Sequence, residues 1–87
     1  MNELNVQVYT VAWCPHCVRI LSFLEKTGVP FLNYDVDDDD ARWREALALT
    51  GGVDLVPVLV IGTESRYGAF TTDFQDWIKN RLIGAKA

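Results

Sequence analysis

The run Tyr9-Thr10-Val11-Ala12-Trp13-Cys14-Pro15-His16-Cys17 holds both cysteines of the chain, its one histidine and one of its three prolines. Val6 and Val8 lead into it in alternation, and an amphipathic segment from Val18 to Lys26 leaves it. The two thiols therefore fall where a strand hands over to a helix. Paired cysteines with two residues between them, at a helix start after a strand, have redox spacing rather than metal spacing.

The reactive form of a thiol is the thiolate. Cys14 is expected at or beside the helix N-cap, with Pro15 at the first helical position, where a missing N–H costs nothing. The unpaired N–H groups of the first turn then face the Cys14 sulfur, and the helix dipole favours negative charge there. Cys17 lies within one turn, so a disulfide can close between the two. Cys14 is expected to be the exposed attacker and Cys17 the buried resolving thiol. A protonated His16 would stabilise the thiolate and make the disulfide more oxidising. The alternative is an exposed turn residue without a catalytic role.

Length and charge bound the rest. The 87 residues make one small domain, spanning 1–87, and 49% of them are hydrophobic, which suits a packed core rather than disorder. The net charge of −4 leaves no basic stripe to meet phosphates, so no nucleic-acid partner is expected. No apolar run reaches membrane-spanning length. Met1-Asn2-Glu3-Leu4-Asn5 lacks the features of a secretory signal. A cysteine pair in that setting implies the cytoplasm, where disulfides are transient and catalytic.

The first strand is expected over residues 4–10, with Leu4, Val6 and Val8 facing one way. The first helix is expected over 15–27, with Cys17, Ile20, Leu21 and Leu24 at helical spacing and Gly28 just past its end. Phe31 to Val36 reads as a second strand, which completes a right-handed βαβ unit with parallel strands. Asp37 to Asp40 form a solvated acidic face, from which Asp38 or Asp39 caps a second helix running to about Leu49. Trp43, Ala46, Leu47 and Thr50 share one face of that helix, Trp43 as core or rim packing. Pro57 opens an apolar strand that ends at Ile61, and proline in a strand belongs at a start, an edge or a bulge. Gly62 to Ser65 reads as a turn and Arg66-Tyr67 as a short last strand. Thr72 and Gln75 have capping-box spacing at the start of a final helix reaching about Ile83, beyond which Ala85-Lys86-Ala87 should fray.

The order is βαβαββα, an α/β arrangement. A strand, Cys-x-x-Cys at a helix start, a βαβ unit, Val56-Pro57 opening a strand, a hairpin and a Gly-containing turn into a helix resemble the thioredoxin fold in its short glutaredoxin form. The resemblance covers about residues 5–83 and implies a four-stranded mixed sheet flanked by three helices. It further implies a cis bond before Pro57, which is uncommon at about 5–6% of X–Pro bonds. Pro57 would lie beside the cysteines, with the Val56 backbone pairing with substrate. Trp13 is similar to the thioredoxin aromatic that forms part of a docking surface. The Cys-Pro-His-Cys tetrad is shared with a bacterial periplasmic thiol oxidant.

Within the family, Val11 and Ala12 stand where glutathione-dependent members have a lysine or arginine. The segment Ala69-Phe70-Thr71-Thr72-Asp73 resembles the Gly-Phe-x-x-Asp segment of the NrdH-redoxins, and the mycoredoxins are comparably similar. NrdH-likeness implies thioredoxin reductase as electron donor and ribonucleotide reductase among the protein-disulfide substrates. A low-molecular-weight thiol is the other possible reductant and co-substrate. Such a thiol would pair with Val56 and place a carboxylate against Thr71 and Thr72 at the helix start. Simple capping is the alternative use of both threonines.

The implied activity is thiol–disulfide exchange through a redox-active Cys14–Cys17 disulfide, with no bound cofactor, no metal and a monomeric chain. Two other readings stay open. One is a glutathione-dependent glutaredoxin. The other is an iron–sulfur or metal carrier, which lacks the fourth ligand a closed zinc site needs.

Overall fold

Val6 and Val8 begin an alternating, β-branched run, and Val6–Thr10 forms strand β1. The computed structural model describes residues 5–86. Leu4 and Ala87, expected in the first strand and the fraying end, lie outside the described residues, as does most of the Met1–Asn5 segment. The elements that follow are α1 (Pro15–Thr27), β2 (Leu32–Asp35), α2 (Asp40–Thr50), β3 (Val58–Ile61), β4 (Glu64–Tyr67) and α3 (Thr72–Lys86). This is the thioredoxin fold with the expected βαβαββα order.

The sheet runs β2-β1-β3-β4. β1 is parallel to β2, with Tyr9 opposite Tyr34, and antiparallel to β3, with Val8 opposite Leu59. Being central, β1 is covered on both faces, so its alternation ends in consecutive buried residues, Val8, Tyr9 and Thr10. One face carries Val6, Val8, Leu59 and Ile61 against Ile20 and Leu24 of α1 and Phe74, Ile78 and Leu82 of α3. The other carries Tyr9 and Val58 against Ala46 of α2, with Val11, Val36 and Cys17 at its end. Each fully buried large apolar side chain contributes roughly 1.5–3 kcal/mol relative to exposure.

Helix boundaries follow their caps. Asp39 caps α2 by accepting from the Arg42 N–H at 3.2 Å. Gly28, at φ +74°, closes α1 in the left-handed region that favours glycine. Three expectations at the other end of the chain need correction. The hairpin turn is only Gly62-Thr63, and Glu64 and Ser65 belong to β4, with Ile61 paired to Glu64. Gly62 takes φ +65° at the first of the two loop positions, which closes a tight turn and lets pairing resume at once.

The Thr72–Gln75 capping box does not form. α3 begins one residue earlier, with Thr71 as its cap. Thr71 Oγ1 accepts from the Phe74 N–H at 3.4 Å and the Thr71 carbonyl accepts from the Gln75 N–H at 3.0 Å. The buried aromatic pair sets this register: Phe70 and Phe74 stack with ring centroids 5.5 Å apart, placing an apolar residue just before the cap. α3 also continues to Lys86, three residues beyond the expected end.

Candidate active site

Three segments converge at the C-terminal end of β1: the start of α1, the turn before β3 and the loop between β4 and α3. At the first, Cys14 is the N-cap of α1, with extended backbone at φ −95° and ψ 122°, and Pro15 follows at the first helical position. The Cys14 thiol makes no capping hydrogen bond. It is half-buried and lines a groove instead.

Cys17 is wholly buried one turn deeper, and its Sγ accepts from the Val11 N–H at 3.5 Å. Burial pushes its thiol from 9.0 up to about 12; the Val11 N–H opposes the shift and the neighbouring Cys14 thiol adds to it. Cys17 therefore stays protonated at neutral pH. A consequence for stability follows from the sign of this shift. Below pH 9.0 the folded and unfolded chains both hold the proton; between 9.0 and about 12 only the folded chain does, so stability falls as pH rises through that window. Tyr9, raised from 10.0 to about 12 by burial and by its hydrogen bond to Glu45, adds to the fall at higher pH. Urea denaturation of the reduced protein between about pH 8 and 10 is expected to show decreasing stability, with a shallower slope for Cys17→Ser. Equal slopes would contradict the burial of an un-ionised Cys17.

His16 is half-buried and lines the groove together with Cys14. Its Nδ1 accepts from the Phe70 N–H at 3.1 Å. This bond ties the cysteine helix to the loop before α3.

The Val56–Pro57 bond is cis, as the family resemblance implies. Pro57 is fully buried, and its carbonyl accepts from the Gly68 N–H at 3.1 Å. Gly68 has φ +106°, a conformation L side chains rarely adopt, so this contact favours glycine.

The groove enclosed by these segments has a volume of about 680 Å³. Of the residues singled out from sequence, Trp13, Cys14, His16, Val56 and Ala69 line it. Pro15, Cys17, Pro57, Phe70, Thr71 and Thr72 are not among its walls. The Phe70 side chain is core, 5.6 Å from the Phe23 ring and packed on Phe74, so only its backbone faces the site. Thr71 is used as a helix cap.

Val11, which stands where glutathione-dependent members have a cation, is also a wall; sequence reasoning missed Val36, Trp43 and Leu55, and the carboxylates of Asp37, Asp40 and Asp54. Asp37 and Asp40 were read only as a solvated, capping run. Asp54 and Leu55 immediately precede Val56-Pro57, and that adjacency was an available signal. Trp13 is 73% exposed, and its indole N–H donates to Asp37 Oδ2 at 2.6 Å. Asp37 is itself held by its N–H donating to Asp35 Oδ1 at 3.0 Å.

Comparison with known proteins adds the following. A family profile described as Glutaredoxin matches residues 6–65. An N-acetyl-S-hydroxy-L-cysteine reductase of Bacillus subtilis is 32% identical over 70 residues, covering 80% of this chain and 74% of that protein. A glutaredoxin of Pseudomonas aeruginosa is 39% identical over 57 residues, covering 66% and 67% respectively. Among solved structures, a glutaredoxin from Archaeoglobus fulgidus matches with a TM-score of 0.74 at 27% identity, over 88% of each chain. The glutaredoxin-like NrdH-redoxin of Escherichia coli, described as having a thioredoxin-like activity profile, matches with a TM-score of 0.68 at 26% identity, over 84% of this chain and 92% of that one.

Proposed function

The chain belongs to the glutaredoxin family and is a thiol–disulfide oxidoreductase, and on that premise we propose that it reduces protein disulfides by dithiol exchange with an NrdH-like choice of reductant. The observation that carries the reading is the pairing of a half-buried Cys14 in the groove with a fully buried Cys17 one turn below it.

The Cys14 thiolate attacks one sulfur of the substrate disulfide. A Cys14–substrate disulfide forms, and the other substrate sulfur leaves as a thiolate that takes up a proton. Cys17 then gives up its proton and attacks Cys14 Sγ, closing the Cys14–Cys17 bond and releasing the second substrate thiol. Two electrons pass from protein to substrate, and of the two protons the substrate thiols take up, one is given up by Cys17 and one comes from solvent. Burial keeps Cys17 protonated and inert until the first step has consumed the Cys14 thiolate beside it. The Val56 backbone and Trp13 flank the sulfur and are the proposed docking surface, with the Pro57 turn behind Val56.

The reductant reading rests on charge. Among the described residues no lysine or arginine lines the groove, so no cationic side chain of its walls meets the carboxylates of glutathione. The same absence disfavours a small carboxylate-bearing substrate such as the one for which the Bacillus subtilis relative is named. Reduction by thioredoxin reductase in a reducing compartment such as the cytoplasm fits this better, with disulfide-bearing proteins, ribonucleotide reductase among them, as substrates. NADPH consumption coupled to reduction of a model protein disulfide tests it in two arms. Turnover is expected with thioredoxin reductase, and at most about a tenth of that rate with glutathione and its reductase, the difference a missing charge-assisted contact makes. Turnover confined to the glutathione arm would overturn the reductant reading.

A further inference from the structure

The walls of the Cys14 groove carry charge of one sign. Asp37, Asp40 and Asp54 line it together with Trp13 and Trp43. Asp40 is partly offset by Arg44, 3.1 Å away, with both side chains exposed. Asp54 has no hydrogen-bond or ion-pair partner among the described residues. Asp37 accepts one side-chain bond, from the neutral Trp13 indole, and has no ion-pair partner among the described residues. Cys14, not the acidic residues, makes this a reaction site; the carboxylates determine what can approach it.

The aromatic walls point the same way by different physics. The faces of indole rings attract cations through the ring quadrupole, tryptophan most strongly of the aromatic side chains. Trp13 is 73% and Leu55 49% exposed, an open apolar shelf on which a long cationic side chain can lay its methylene stem. Carboxylates beside the exposed Trp13 and half-buried Trp43, with no lysine or arginine among the described walls, make a surface suited to lysine or arginine.

We propose that the substrates are protein disulfides flanked by lysine or arginine, recognised through Asp37, Asp54 and the Trp13 and Trp43 faces, and that disulfides flanked by carboxylates are rejected. This rests on the oxidoreductase reading above and extends it to the class of substrate.

The test uses three disulfide-cyclised peptides identical except that lysine, glutamine or glutamate flanks the cysteines. Each is mixed with the pre-reduced full-length protein, and oxidation is followed by stopped-flow tryptophan fluorescence. Each peptide's rate with dithiothreitol measures its intrinsic reactivity. After that correction, the lysine peptide is expected to react about tenfold faster than the glutamate peptide at low ionic strength, and less than about threefold faster in 1 M salt, where the screening length falls to about 3 Å. In the double variant Asp37→Asn, Asp54→Asn the low-salt ratio should fall at least about threefold, in keeping with an electrostatic effect on encounter. Asparagine at position 37 can still accept from Trp13. A corrected ratio near one, or one that the double variant leaves unchanged, overturns the charge inference while oxidation by the glutamine peptide upholds the oxidoreductase reading. Failure of all three peptides to oxidise the protein overturns both.

Discussion

Cys14→Ser is expected to lower the rate of disulfide reduction at least about a thousandfold, a loss of roughly 4 kcal/mol of transition-state stabilisation. A serine hydroxyl is not ionised near neutral pH and cannot replace a thiolate at a disulfide sulfur. Its partner substitution should behave differently. Cys17→Ser leaves the first attack intact and removes the group that resolves the mixed disulfide, so the substrate should remain bound to Cys14. Intact-mass measurement after exposure to a peptide disulfide distinguishes the variants: no adduct on Cys14→Ser, one adduct on Cys17→Ser. The asymmetry follows from burial, because Cys14 reaches the groove and Cys17 has no exposed surface. An adduct on Cys14→Ser would assign the attacking role to the wrong thiol.

Phe74→Ala is expected to cost about 3–5 kcal/mol of folding stability. In a small domain whose total is about 5–15 kcal/mol, that is a large share. Phe74, on α3, is fully buried against the sheet, with the tilted Phe70 ring 5.5 Å away and the Trp77 ring edge-on at 6.2 Å. The Arg66 guanidinium lies 5.3 Å from its ring centroid. The same residue supports the site, since Phe70 rests on it and donates the N–H that holds His16. Urea denaturation should show the loss as a lower midpoint with an unchanged slope. A loss under about 1 kcal/mol would mean that the core closes over the gap, against the usual cost of such cavities.

Local rules made most of the frame legible. The Cys-Pro start of α1, the glycine after Thr27 and the apolar spacing of Ile20 and Leu24 each pointed to one helix, and that helix is present with those ends. The burial difference between Cys14 and Cys17 followed from helix geometry alone. What local rules missed depends on distant residues. The cap of α3 is Thr71 rather than Thr72 because Phe70 and Phe74 must both be buried, which capping-box spacing does not report. His16 was weighed only against its neighbour Cys14, whereas its hydrogen-bond partner is Phe70, far along the chain. The acidic run after β2 reads as a solvated stretch, and Asp37 and Asp40 are indeed exposed. Only the βαβ connection brings them to the Cys14 groove, and the turn before Pro57 brings Asp54 to the same groove. Charge on a groove is a property of its convergent walls, so no single segment carried it.

The division of labour between the two thiols is tested most directly by timed alkylation of the reduced protein at neutral pH, followed by peptide mass spectrometry. Cys14 should take the label at least about a hundredfold faster than Cys17, whose thiol burial holds at about 12. One equivalent of a peptide disulfide added beforehand should protect both cysteines and release two peptide thiols. Labelling of Cys17 first, or two free protein thiols persisting beside unreduced peptide, would contradict dithiol exchange through this pair.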